Sequence, residues 1–145
     1  MAEVSFYQLS RDPIERVVPL LAAKALDRGG RLVVVHGDEQ QRAELSDALW
    51  GKEDAFLPNG LSGAPHADRQ PILLADRFDI ANGATIGILA DGVWREDAAQ
   101  LERSMLLFGP EQTEAARALW GTLSSSGHAL RIFKQSDSGA WREGR

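Results

Sequence analysis

The stretch "RLVVVHGDEQQRAELSDALW", residues 31–50, indicates the fold class. Residues 32–35 form an apolar run without alternation, which is typical of a strand buried on both faces of a parallel sheet. Asp38 then stands where a helix N-cap is expected, and apolar residues follow at helical spacing up to Trp50. A buried strand followed directly by a capped helix is the building unit of α/β proteins.

Strand and helix patterns alternate on both sides of this stretch. Apolar or alternating runs predict further strands at residues 4–9, 71–75, 84–90, 104–108 and 128–133. Helices are predicted at residues 13–28 and 110–127, with a short helix or irregular turn at residues 94–102. This order predicts one Rossmann-like domain over residues 1–145, with a mostly parallel sheet and helices on both faces.

The first predicted helix carries two prolines. Asp12 and Pro13 suit the N-cap and the first helical position, and Gly29 suits the end of the helix. Pro19 lies inside the helix and is expected to kink it, because proline removes a backbone donor.

Composition narrows the possible functions. The chain has 145 residues and no cysteine, which excludes disulfides, thiolate metal sites and a cysteine nucleophile. Its net charge of −5 argues against a broad nucleic-acid-binding surface, so we expect no direct nucleic-acid partner. The N-terminus lacks a signal-peptide pattern and no apolar run approaches a membrane span, so we expect a cytoplasmic protein with no membrane association.

The phosphate-binding motifs of nucleotide enzymes do not occur. "LSRDPIE" follows the first strand in place of a GxGxxG turn, and the chain contains neither GxxxxGK[ST] nor GxSxG. The histidines His36, His66 and His128 are scattered and lack metal-ligand spacing. We therefore expect no cofactor, no metal and no catalytic residue.

An alternative interpretation is that the protein is an enzyme. His36 and Asp38 follow a buried strand, where α/β enzymes place catalytic groups, and could act as an acid/base pair on a nucleotide or metabolite. The favoured interpretation is a histidine at a strand end followed by a helix-capping aspartate.

The last predicted helix carries an arginine and a tryptophan three residues apart. With Leu119 at the centre of the buried face, Trp120 falls about 100° and Arg117 about 160° away, because a helix turns ~100° per residue. This spacing fits two interpretations. The pair could recognise a peptide, with tryptophan area and an arginine fork for a carboxylate. Alternatively, Trp120 folds over the sheet edge and Arg117 is solvated.

The segment from Gly51 to Asp68 is long for a loop and contains apolar side chains. Long ordered connections are often functional. Phe56, Leu57 and Leu61 therefore either fold back as a lid on the core, which is the favoured interpretation, or present a docking surface for a second partner.

Several quoted stretches together resemble one family. "FYQL" (residues 6–9), "GGRLVVV", "GDEQQRAELSDALW", "FLPNGLSG", "ARALWGTLSSSGHAL" and "SGAW" occur in the order seen in the chi subunit of bacterial DNA polymerase III. The resemblance extends from Val4 to about Glu143. It implies a Rossmann-like fold without nucleotide chemistry.

The resemblance also implies a function and a site. Members of this family are accessory subunits of the clamp-loader assembly, joined to it through the psi subunit. They bind the acidic, phenylalanine-terminated C-terminal tail of the single-stranded DNA-binding protein. The implied tail-binding residues are Trp50, Arg117 and Trp120, with the two tryptophans as walls of one pocket.

Two positions depart from the family pattern. Gly121 and Thr113 stand where basic residues can occur, so the implied pocket carries less positive charge. The cations that could compensate are Arg131, Lys134, Arg103 and Lys52.

Overall fold

The computed structural model describes residues 2–144. The helices are α1 (Ile14–Asp27), α2 (Glu39–Trp50) and α3 (Thr113–Ser125). Three short 3-10 helices cover Ala67–Arg69, Glu96–Gln100 and Pro110–Gln112. The strands are β1 (Glu3–Gln8), β2 (Leu32–Val35), β3 (Asn59–Leu61), β4 (Ile72–Ala75), β5 (Ile86–Leu89), β6 (Arg103–Phe108), β7 (Ala129–Gln135) and β8 (Trp141–Glu143).

All eight strands belong to one sheet, in the order β3-β4-β2-β5-β6-β1-β7-β8. Every neighbouring pair is parallel except β7 and β8, which are antiparallel. The interior strand β2 is fully buried, as its unbroken apolar run predicts. The predicted α/β fold with a mostly parallel sheet is therefore confirmed.

The helices cover opposite faces of this sheet. Val17 of α1 and Leu49 of α2 pack in one buried cluster with Val34 of β2. Ala116 and Leu123 of α3 belong to a separate cluster on the other face. Side chains alternate along a strand, so β1 sends Phe6 toward α3 and Tyr7 toward α1. The two faces can therefore carry separate binding surfaces.

The start of α1 differs from the prediction by one residue. The helix begins at Ile14, with Pro13 at the N-cap position. The Asp12 carboxylate does not cap the helix; it accepts a hydrogen bond from Gln135 Nε2 at 2.8 Å. Pro19 is buried inside α1, which continues through it to Asp27 without interruption. The second helix is capped as predicted, because the Asp38 side chain accepts from Gln41 N at 3.1 Å.

Two short strands were not predicted. β3 lies inside the segment that the sequence suggests is a loop, and it pairs with β4 at one edge of the sheet. The Asn59 side chain is buried there, accepting from Ser46 Oγ at 2.6 Å and donating to Leu57 O at 3.0 Å. β8 forms the other edge, where Trp141 packs edge-on against Tyr7 with ring centroids 5.4 Å apart.

The predicted helix over residues 110–127 is divided in two. It starts as a 3-10 turn over Pro110–Gln112 and becomes α-helical only from Thr113. The predicted turn at residues 94–102 is likewise a 3-10 helix, Glu96–Gln100.

Candidate functional site

A pocket of about 290 Å³ lies between α3 and the sheet, and we call it the α3 pocket. Its apolar walls are Phe6, Phe108, Ala116, Trp120 and Ile132. Its polar lining residues are Gln8, Thr113, Arg117 and Lys134. The structure thus brings Arg117 and Trp120, two of the predicted site residues, into one pocket.

Neighbouring elements position the sheet side of this pocket. In the parallel register of β1 and β7, Phe6 lies beside Ile132 and Gln8 beside Lys134. Residues two apart on a strand point to the same face, so all four side chains face α3. The arrangement gives the pocket an apolar floor with a cation at one end of it.

Trp120 forms part of the buried side of α3. Its ring meets Phe6 edge-on at a centroid distance of 5.1 Å, and it packs against the buried cluster that contains Ala116 and Leu123. The expectation that Leu119 is the centre of the buried face is wrong, because Ala116 and Leu123 are buried while Leu119 is only half-buried. The face is rotated toward Trp120, which is half-buried between core and pocket.

The charge of the α3 pocket is positive. Arg117 on α3 and Lys134 on β7 are both exposed, and none of the pocket-lining residues between 2 and 144 is acidic. The sequence identified Lys134 only as one of four possible compensating cations. The strand pairing that would have singled it out is the β1–β7 register, which the sequence does not reveal.

The other three candidate cations lie elsewhere. Arg131 and Arg103 line a different pocket together with Tyr7, on the α1 face. Lys52 follows α2 and pairs with Asp54 at 2.6 Å. Thr113 does line the α3 pocket, but its hydroxyl donates to Pro110 O at 2.9 Å. Gly121 has open space around it.

A network at the carboxyl ends of the strands fixes the start of α3. Gln112 accepts from Gly109 N at 3.1 Å and donates to the Asp91 carbonyl at 2.7 Å. The Asp91 carboxylate receives two bonds from Arg95, at 3.0 and 2.9 Å. Burial would raise the pKa of Asp91, but hydrogen bonds from Arg95 and the backbone N–H groups of Gly37 and Val93 lower it overall.

Trp50 does not reach the α3 pocket. It closes α2, on the opposite face of the sheet, with 52% of its surface exposed. Its ring touches Phe56 edge-on at 6.0 Å between centroids, and Phe56 is 78% exposed. We call Trp50 and Phe56 the loop patch. The expectation that Trp50 and Trp120 wall one pocket is therefore wrong, because α2 and α3 cover different faces.

The apolar side chains of the loop differ in burial: one is buried and two are exposed. Leu57 is 3% exposed and packs in the core under α1 and α2, as the lid interpretation predicts. Phe56 and Leu61 point outward, with Leu61 44% exposed on the edge strand β3. The lid interpretation is wrong for these two residues.

His36 and Asp38 make local structural contacts. His36 Nδ1 accepts from the backbone N–H of Asp38 at 3.0 Å, while the Asp38 carboxylate caps α2. His36 also lines a crevice of about 580 Å³ at the carboxyl ends of the strands. These contacts support the helix-cap interpretation and give no observation in favour of an acid/base pair.

Residues 2–144 contain neither a cluster of metal-binding side chains nor a membrane-spanning helix. No three histidine, aspartate or glutamate side chains in this range come together in an arrangement that could hold a metal ion. Within the same range, no helix has the length and apolar character needed to cross a membrane.

The fold and the site define a class: a doubly wound, mostly parallel α/β protein with an aromatic, cationic pocket between its last helix and the sheet. Within this class, the family model described as "DNA polymerase III chi subunit, HolC" matches residues 1–131, and the chain belongs to this family. Over 83 residues the chain is 29% identical to "DNA polymerase III subunit chi" of Escherichia coli (strain K12). That match covers 52% of this chain and 56% of the relative, little more than half of each.

Proposed function

We propose that this chain is a non-catalytic adaptor subunit of DNA polymerase III that binds the acidic C-terminal tail of the single-stranded DNA-binding protein. The observation that carries the proposal is the α3 pocket, which combines aromatic walls with two cations, Arg117 and Lys134. Its ligand is then a peptide that presents an aromatic ring beside a carboxylate.

The apolar part of the pocket suits a terminal phenylalanine. Phe6 and Trp120 already meet edge-on at 5.1 Å, and Phe108 meets Phe6 in the same way at 6.4 Å. A further ring can join such an edge-to-face cluster at favourable geometry. The pocket volume of about 290 Å³ is at the lower limit for ligand sites, so it fits the last one or two residues of a tail rather than a larger ligand.

The charged part of the pocket suits the carboxylates of an acidic tail. Arg117 presents a planar fork that can bind the terminal carboxylate with two hydrogen bonds. Lys134 faces the same space from β7 and supplies the second positive charge that Thr113 and Gly121 do not provide. Because both cations are exposed, binding should weaken as salt is added.

The loop patch supports a second docking surface on the opposite face. Trp50 and Phe56 are in contact and largely exposed, and aromatic residues are frequent at the centres of protein interfaces. We assign Trp50 to this surface, together with Phe56 and the exposed Leu61. By resemblance to the family, its partner is the psi subunit or the clamp loader. The separation of the two surfaces would allow both partners to bind at once.

The test is a titration of the full chain with a synthetic peptide that ends in aspartates followed by phenylalanine, monitored by tryptophan fluorescence at low and high salt. We expect saturation at micromolar peptide, about −8 kcal/mol, with weaker binding at high salt. A peptide without the phenylalanine and a peptide with an amidated C-terminus are the controls, and both should bind far more weakly. Equal binding of all three peptides would contradict the proposal.

A further inference from the structure

A second pocket, of about 260 Å³, lies on the opposite face of the sheet from the α3 pocket, between α1 and strands β1, β6 and β7. We call it the basic pocket. Four of its lining residues are cationic: Lys24, Arg28, Arg103 and Arg131. None of its lining residues between 2 and 144 is acidic, although the whole chain has a net charge of −5.

Two carboxylates beside the basic pocket neutralise part of this charge. Glu143 binds the guanidinium of Arg131 through two hydrogen bonds of 2.9 and 3.0 Å. Glu3 lies between Arg131, at 3.7 Å, and Arg103, at 3.9 Å. These ion pairs hold the two arginines in place and involve only the strand side of the pocket.

The helix side keeps its charge. Within residues 2–144, neither Lys24 nor Arg28 has a carboxylate in ion-pair range. The two residues lie four apart on and just after α1, a spacing at which like charges on a helix repel each other. Four cations beside two carboxylates leave a surplus of two positive charges at one pocket.

Hydrogen-bond donors in the basic pocket also lack acceptors. Arg103 Nε is buried and has no hydrogen-bond partner among the described residues, because Glu3 at 3.9 Å is too distant. A buried donor without an acceptor is costly and calls for a partner. The hydroxyl of the neighbouring Tyr7 can also donate, since tyrosine is protonated at neutral pH and burial raises the pKa of Tyr7 further.

The aromatic residues of the pocket, Tyr7 and Phe133, already pack against other side chains. Phe133 is stacked on Tyr7 at 4.9 Å between centroids, and the Arg131 guanidinium covers it at 5.2 Å. Proteins that bind single-stranded nucleic acid stack successive bases on accessible rings. The basic pocket therefore suits an anionic group rather than a nucleobase.

We propose that the basic pocket binds the phosphate group of a small phosphorylated molecule. A phosphate monoester carries a charge of about −1.5 to −2 and three strong acceptor oxygens, which match the surplus charge and the unused donors. A single carboxylate offers one charge and two oxygens. The site is distinct from the α3 pocket and does not depend on its proposed role.

The test is an NMR titration of the ¹⁵N-labelled full chain with inorganic phosphate at constant ionic strength. We expect saturable shifts of the Arg103 Nε–Hε signal and of the Tyr7 and Arg28 amides, with a dissociation constant on the order of 1 mM. Arg28→Gln should weaken binding about tenfold, as for a lost hydrogen bond to a charged group. Lys24→Gln, a second exposed substitution, should act in the same direction.

Arg69→Gln is the matched control, because Arg69 is an exposed arginine that lines neither the basic pocket nor the α3 pocket; it should leave phosphate binding unchanged. A short single-stranded oligonucleotide, compared at equal phosphate concentration, should bind no better than inorganic phosphate. Absence of saturation, or saturation that Arg28→Gln does not affect, would overturn the proposal. Much tighter, Arg28-dependent binding of the oligonucleotide would overturn the assignment to a small ligand.

Discussion

Two tryptophans on two helices of this molecule have opposite settings. Trp120 on α3 is half-buried, packs edge-on against Phe6 and forms a wall of a pocket. Trp50 on α2 is 52% exposed and touches Phe56, which is itself largely exposed. Trp120 therefore packs against the core and lines a pocket, whereas Trp50 adds apolar area to the exposed surface.

The difference shows that two tryptophans in the same local sequence, "ALWG", can lie in different structural settings. A concave site with charges on its rim selects a small, defined group such as a chain terminus. An exposed aromatic pair is stabilised most when a broad partner surface buries its apolar area. Four substitutions test this contrast.

Trp120→Ala should destabilise the fold by about 2 kcal/mol, less than the loss for a fully buried aromatic residue because Trp120 is only half-buried. The same change should abolish binding of the phenylalanine-terminated peptide. Urea unfolding gives the first effect and peptide titration the second. An unchanged free energy of unfolding would show that Trp120 does not pack against the core, and Trp120 and Trp50 would then not differ in the way described.

Arg117→Ala should reduce the affinity for the peptide by about 2 kcal/mol, as for a truncated partner of a hydrogen-bonded charge pair. The stability should stay within ~0.5 kcal/mol, because Arg117 is exposed. Arg142→Ala, an exposed arginine on β8 outside the α3 pocket, is the control and should bind normally. Unchanged affinity in Arg117→Ala would remove this residue from the site.

Acid should lower the free energy of unfolding through Asp91, which lies beside the start of α3. Because the pKa of Asp91 is lowered in the folded state, its contribution to stability is present above its unfolded pKa of about 4 and is lost as the pH falls through and below that value. Asp91→Asn should lower the stability at neutral pH by about 1 kcal/mol and flatten its decline between about pH 5 and 3.

The measurement is urea unfolding at several pH values, with Asp76→Asn as the control, since Asp76 is exposed and, among residues 2–144, pairs only with Arg77. Peptide binding by Asp91→Asn should also weaken, because the Asp91 carboxylate, through its bonds to Gly37 and Arg95, positions the backbone carbonyl that accepts from Gln112 at the start of α3. An acid profile identical to that of the unsubstituted chain would show that Asp91 does not carry this effect.

Trp50→Ala should change the stability by no more than ~0.5 kcal/mol, because the side chain is exposed. Peptide affinity should not change. Binding to the proposed partner of the loop patch, the psi subunit or the clamp loader, should fall for Trp50→Ala and for Phe56→Ala when it is measured by co-purification. A loss of peptide affinity in Trp50→Ala would instead show that the loop patch contributes to peptide binding together with the α3 pocket.

The fold could be predicted from the sequence because β2 and its neighbours are short apolar runs and β2 is followed by a capped helix. The edge strands could not. β3 contains Asn59 and Gly60, and it depends on pairing with β4 and on the hydrogen bonds of the buried Asn59. β8 has one large apolar residue, Trp141, and depends on β7 and Tyr7. Both strands are specified by neighbours distant in sequence.

The candidate site could be predicted only in part, because some of its residues are brought together by elements that are distant in sequence. The helical spacing of Arg117 and Trp120 is local, so the sequence placed them side by side. The face of the sheet that each helix covers is not local, so Trp50 was expected in the wrong pocket. Lys134 reaches the site through the β1–β7 register, which no single segment encodes.

The most direct test follows the four tryptophan indole N–H signals by NMR during the peptide titration of the unsubstituted chain. Each indole reports one region: Trp50 the loop patch, Trp120 the α3 pocket, Trp94 the loop after β5 and Trp141 the strand β8. We predict a saturable shift of Trp120 with Trp50 unchanged. A shift of Trp50 with Trp120 unchanged would place the peptide on the other face and contradict the account.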